Sequence, residues 1–112
     1  MHQDRINQYR VMWVFVFFDL PTETRKERKV ASEFRKKLLK DGFEMYQFSI
    51  YVRFCASMEN ADVHSKRVRL SLPEKGRISI MRITDKQFGM IETFQGLKKA
   101  AKHKVSQQLE LF

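Results

Sequence analysis

The sequence predicts an α+β fold, and three observations predict it. Residues 11–18 are an unbroken β-branched and aromatic run, residues 25–40 repeat apolar side chains at helical spacing, and residues 43–55 switch to a period of two. A second helical segment and further strand-like runs follow. Strand and helix thus alternate as in the ferredoxin-like βαββαβ plan, with an additional C-terminal strand.

The run from Val11 through Trp13, Phe15 and Phe17 to Phe18 has no polar position, so it reads as a central strand buried on both faces. Asp19 follows, then Leu20 and Pro21; proline has no N–H for the ladder and ends the strand. Thr24 and Glu27 stand at capping-box spacing, where each side chain satisfies the other's backbone. Val30, Phe34 and Leu38, with Ala31 and Leu39 beside them, give helix 25–40 its apolar stripe. Gly42 falls where a left-handed C-cap is wanted. Tyr46, Phe48, Ile50, Val52 and Phe54 then alternate with Gln47, Ser49, Tyr51, Arg53 and Cys55, a strand with one dry face that is long enough to split near 47–49 into two. Residues 57–60 offer N-caps for a second helix, 59–71, with a weaker face of Ala61, Ser65, Val68 and Leu72. Pro73 to Gly76 is a turn, 78–83 a strand, 87–89 a break and 90–94 a short strand. The chain divides into an N-terminal extension 1–8, a folded domain 9–95, and a basic linker and tail 96–112.

A length of 112 residues fits one domain, whose small core is efficient or is completed by a partner chain. A lone Cys55 excludes an internal disulfide, and no Cys/His spacing resembles a zinc site. The longest apolar run is far short of the ~20 residues of a membrane span, and Met1 to Arg10 has no leader character, so a cytoplasmic protein with no membrane role is expected. The 22 Lys and Arg against 13 Asp and Glu leave a net charge of +9 and point to an acidic partner, nucleic acid first. Within 25–40 eight basic side chains face only Glu27 and Glu33, a net of +6. Such an excess is either a solvated face or a phosphate-contacting one; helices that only need solubility mix both signs and pair them at i,i+4, and the imbalance here favours phosphate contact for part of it.

Asp19 ends a buried strand, where a sheet presents side chains to ligands; on position alone it is a turn cap or a metal ligand. A metal-dependent phosphodiesterase needs several carboxylates, and only Glu23 is near in sequence, so one chain looks unable to build the site. A two-fold dimer would bring two copies of Asp19 together. The aromatics of 46–54 lack the Lys/Arg-Gly-aromatic signature of an RNA-recognition motif and read mostly as core.

The series Phe-Phe-Asp-Leu-Pro-Thr at the end of a strand, a basic helix, then Gly-Phe-x-Met-x-Gln-Phe-Ser-Ile-Tyr resembles the CRISPR-associated protein two ("Cas-two") family, and within it the forms that accompany type II systems. Residues 75–80 and 83–88 resemble its third segment, and the likeness runs from about Tyr9 to Phe94. The resemblance implies a ferredoxin-like homodimer in bacterial spacer acquisition. There it bridges two dimers of the CRISPR integrase ("Cas-one") on double-stranded DNA. It also implies a metal-dependent endonuclease activity, on RNA or on double-stranded DNA, with one Mg2+ or Mn2+ shared across the dimer. On the family's motifs Asp19 matches the catalytic, metal-holding aspartate, Phe18 and Tyr51 the supporting aromatics, and Arg28 a helix-one arginine; Arg25, Lys26 and Lys29 surround that arginine as further nucleic-acid-binding candidates. Met45 stands where some members carry a basic residue.

After the basic linker the chain ends Gln108, Leu109, Glu110, Leu111, Phe112. This resembles the pentapeptide by which bacterial proteins dock on the replicative sliding clamp, with Leu111 and Phe112 as apolar anchors. The alternative is an edge strand, or a strand exchanged onto the partner subunit.

Overall fold

A computed structural model describes residues 11–101. Four strands, β1 (Met12–Asp19), β2 (Glu44–Gln47), β3 (Ile50–Cys55) and β4 (Arg77–Thr84), form one sheet in the order β2-β3-β1-β4, antiparallel throughout. Helices α1 (Arg25–Lys40) and α2 (Met58–Arg69) complete the βαββαβ plan. The short helix α3 (Asp85–Gly89) and a two-stranded hairpin, β5 (Phe94–Gln95) with β6 (Lys98–Lys99), follow. The expected extension 1–8 and the tail 108–112 lie outside the described residues.

Being central, β1 has both faces covered. Met12, Val14, Val16 and Phe18 pack under the two long helices with Phe34, Leu38, Phe43, Tyr51, Cys55, Ala61 and Val68. The other parity, Trp13 and Phe15 with Val52, forms a second cluster on the opposite face. There Phe88 of α3 stacks on Trp13 (centroids 3.8 Å apart, 6° between planes) and the indole N–H donates to Asp85 at 2.7 Å. This arrangement corrects two expectations. Residues 87–89 are the end of a helix rather than a break, opened by a capping box between Thr84 and Gln87. The added strand expected over 90–94 is reduced to Phe94–Gln95, which pairs with Lys98–Lys99 outside the main sheet. Apolar character at 88–91 serves a helix and a loop that lie against the sheet face, not a ladder.

The split of 43–55 occurs as expected: β2 and β3 are joined by a tight turn in which Ser49 has φ 66, with a register shift between Met45 and Gln47. The strand is not dry on one face only, because Tyr51 and Cys55 are buried under the helices while Val52 is buried on the opposite side. Phe48 leaves the alternation altogether and is exposed in the turn. In α1 the capping box forms (Thr24 Oγ1 accepts from Glu27 N at 3.0 Å, Glu27 Oε1 from Thr24 N at 3.1 Å) and Gly42 takes φ 92 after the C-cap. Ala31, Phe34 and Leu38 are buried, whereas Leu39 is exposed. Val30 and Leu72, expected in the core, instead line a surface groove of about 420 Å³ with Leu20, Pro21 and Pro73.

Candidate nucleic-acid interface and metal-ligating residue

The functional candidates gather at the C-terminal end of β1. Asp19 shares the parity of Trp13, Phe15 and Phe17, so it belongs to the sheet face opposite the long helices, and it is exposed. Its cross-strand neighbour in register is Arg77. Residues directly opposite in an antiparallel pair share a face, so a cation accompanies the carboxylate. That face is covered unevenly. Phe88 and Ile91 pack over the cluster around Trp13, while towards Asp19 the residues Phe17 and Ile50 are half-buried, and Met81, opposite Phe15, is 41% exposed.

Gly76 fixes where Asp19 sits. It has φ 96, and a side-chain carbon there would stand 2.8 Å from the Asp19 carbonyl oxygen and 2.6 Å from Leu20 Cδ2. The entry of β4 therefore passes hard against the end of β1 on a residue without a side chain. In the sequence this glycine is visible only as turn punctuation.

Phe18 and Tyr51, the expected supporting aromatics, lie on the other side of the sheet. Phe18 is 5% exposed and packs edge-on to Phe34 (5.3 Å, 82°) and tilted against Tyr51 (5.5 Å, 38°). They support the strand that carries Asp19 and do not line a site with it.

Among the basic candidates, Arg25, Lys26, Arg28 and Lys29 are positioned in the first turns of α1, and Arg25, Lys26, Arg28 and Lys29 all reach its solvent side. Cations at the positive end of the helix dipole cost helix stability. Arg28 is partly occupied: its Nη1 donates to the carbonyls of Thr22 (3.1 Å) and Glu23 (3.0 Å), tying the loop after β1 to the helix. Helical spacing puts Arg25, Arg28, Ser32 and Arg35 on one flank. That flank runs to the β2–β3 turn, where the Arg35 guanidinium lies 6.0 Å from the Phe18 ring centroid and 5.7 Å from that of Phe48. Arg35, Phe48 and Arg77 carry no distinguishing signal in the sequence, because only the fold sets Arg77 opposite Asp19 and brings Arg35 to Phe48.

Among the described residues no group of three His, Cys, Asp or Glu could hold a metal ion. His64, buried in α2, is a structural residue: its Nδ1–H donates to Asp41 at 2.7 Å, and Arg67 donates to the other carboxylate oxygen at 2.6 Å. Among the described residues no helix is long and apolar enough to cross a membrane.

The geometry defines a class: a basic ferredoxin-like domain with one exposed strand-end carboxylate and, among the described residues, no complete metal site of its own. The family model for CRISPR associated protein Cas2 matches residues 12–91, and the chain belongs to that family. It is 71% identical to a CRISPR-associated endoribonuclease Cas2 of Flavobacterium psychrophilum over 111 residues, 99% of this chain and 96% of that one. It is 50% identical to the protein of the same name from Parvibaculum lavamentivorans, over 90% of this chain and 100% of that one. A Streptococcus mutans protein of that name is 36% identical over 76% of this chain and 78% of its own.

Proposed function

We propose that the chain acts as a homodimeric, DNA-binding scaffold in CRISPR spacer acquisition, bridging two dimers of the CRISPR integrase. The observation that carries this reading is the isolation of Asp19. A lone carboxylate is too little for metal-dependent hydrolysis within one chain, whereas Arg77 and the basic flank of α1 are suited to holding a phosphate backbone. The part-covered sheet face favours a dimer, since a second copy placed there would bury Phe17, Ile50 and Met81. Two-fold apposition on that face would also bring two Asp19 carboxylates together. Magnesium is commonly held by one or two carboxylates with water completing its shell, so the pair would fit one shared Mg2+ or Mn2+. Such an ion would supply charge neutralisation for a bound phosphodiester.

The test is copurification with the integrase from a coexpressing strain, followed by spacer acquisition with Asp19→Ala. Dimerisation, integrase binding and acquisition are all expected to survive the substitution. An Asp19→Ala protein that keeps the first two and loses acquisition overturns the scaffold reading. A second reading, a metal-dependent endoribonuclease or a nuclease of double-stranded DNA, draws on the name that the similar proteins bear. It requires divalent-ion-dependent cleavage that Asp19→Asn abolishes.

The C-terminal residues Gln108, Leu109, Leu111 and Phe112 extend the proposal to the replicative sliding clamp, on the strength of their sequence. Deleting 108–112 is expected to leave the oligomer intact and to remove clamp binding in a pull-down. Loss of the oligomer would instead assign the tail to the sheet.

A further inference from the structure

We infer that Phe48, backed by Arg35, is a stacking platform for an unpaired nucleobase at the β2–β3 turn beside α1; the inference rests on the nucleic-acid reading above and adds a subsite to it. Phe48 is 79% exposed, more than Phe94 at 57%, although it sits in a sequence pattern that would have buried it. Leaving a phenyl ring in water is unfavourable, and this turn is constructed to do so. Ser49 occupies the left-handed region at φ 66, a conformation costly for a residue with a side chain, and the register between Met45 and Gln47 is broken just before it. The Ser49 carbonyl accepts from Phe18 N–H at 3.0 Å, which pins the turn to β1 one residue before Asp19. The turn that carries the ring is thus held at a fixed place against the end of β1.

Arg35 supplies the second half of the platform. Its guanidinium is 5.7 Å from the Phe48 centroid, within cation–π range, and it continues the flank of Arg25 and Arg28. A phosphate backbone following that flank would deliver a base at Phe48. A flipped or single-stranded base can stack on an aromatic face whatever its identity, whereas a base inside a duplex has no free face to offer. Arg35 at the ring belongs to a helix with a net charge of +6 over 25–40, which selects a polyanion rather than an apolar protein surface.

The test compares a blunt DNA duplex with the same duplex bearing short single-stranded tails that contain a fluorescent adenine analogue quenched by stacking. Full-length wild-type protein is expected to bind the tailed probe more tightly and to quench it. Phe48→Ala should weaken the tailed probe on the order of tenfold, within the range base–aromatic stacking supplies, abolish quenching, and change blunt-duplex affinity by no more than about twofold. Phe48→Trp should retain both properties, which separates stacking from any effect on the turn. Equal losses on both probes, no loss on either, or a Phe48→Ala protein that falls apart into monomers while quenching persists would each overturn the inference. Wild-type protein that binds neither probe would overturn the nucleic-acid reading as well, and wild-type binding unaffected by Phe48→Ala would overturn the stacking alone.

Discussion

A methyl group at position 76 would have to share space with the Asp19 carbonyl and the Leu20 side chain, and would do so at a φ of 96. Gly76→Ala is therefore expected to destabilise the fold by roughly 1–3 kcal/mol, measured by urea unfolding, and to displace the end of β1. Asp41 offers a pH-dependent counterpart. Burial pushes its carboxyl up, but hydrogen bonds from His64 and Arg67 and their charges outweigh that and hold it below the usual carboxylate value. A depressed folded-state value means the unfolded chain binds the proton more readily. The contribution is complete above the ordinary Asp value of 3.8 and is lost as pH falls through the lower folded value. Unfolding midpoints followed across acid pH should fall less steeply in Asp41→Asn than in the wild type. Ser65 is the opposite case: among the described residues its hydroxyl is the buried side-chain group without a hydrogen-bond partner. Ser65→Ala removes that unmet demand and is expected to be neutral or to stabilise by about 1 kcal/mol in the same assay.

At the scale of elements, α3 is the piece that a reading of the sequence misses. Its five residues hold one aromatic anchor, Phe88, and one polar one, Asp85, both on Trp13. Phe88→Ala should cost roughly 2 kcal/mol, less than the 3–5 of a fully buried phenylalanine, and should alter the near-ultraviolet dichroism of Trp13. The long elements are legible because each carries a repeat many residues deep together with its own stop signal: Thr24 and Glu27 at the start of α1, Gly42 at its end. Helix α3 is little more than one turn long, so no period can accumulate, and its capping box at Thr84 and Gln87 is the available signal. The candidate site is legible in its members that are close in sequence, Asp19 and the first turns of α1. It is illegible where strand pairing supplies the neighbours, as with Arg77 opposite Asp19, or where a turn reverses the expected burial, as with Phe48.

For the molecule as a whole, charge and exposed apolar surface divide the labour. The basic excess is concentrated on the flank and outer face of α1, and Phe17, Ile50 and Met81 are left part-covered on the opposite side of the sheet. Binding to duplex DNA should therefore fall steeply with salt. Replacing Arg25, Lys26 and Lys29 by glutamine should lower the log–log slope by roughly one unit for each phosphate no longer neutralised, as read in fluorescence titrations over a range of ionic strengths. Met81→Glu, by contrast, should leave the folded protomer intact and shift the sedimentation coefficient towards the monomer.

The position of β1 has a further consequence, for the chain before it is folded. It precedes every other strand of the sheet in the chain, yet it pairs with Cys55 and Thr84 through Met12, so its ladders close only after most of the domain has emerged. Until then an uncharged, proline-free run of β-formers is open to self-association between nascent or denatured chains. The residues that interrupt such stacking are Arg10 and Asp19, a charge at each end, and Pro21, which cannot extend a ladder. In that setting the carboxylate is a gatekeeper of solubility. Asp19→Ala protein should aggregate faster than wild type during refolding from urea, as light scattering would record, independently of any ion or nucleic acid.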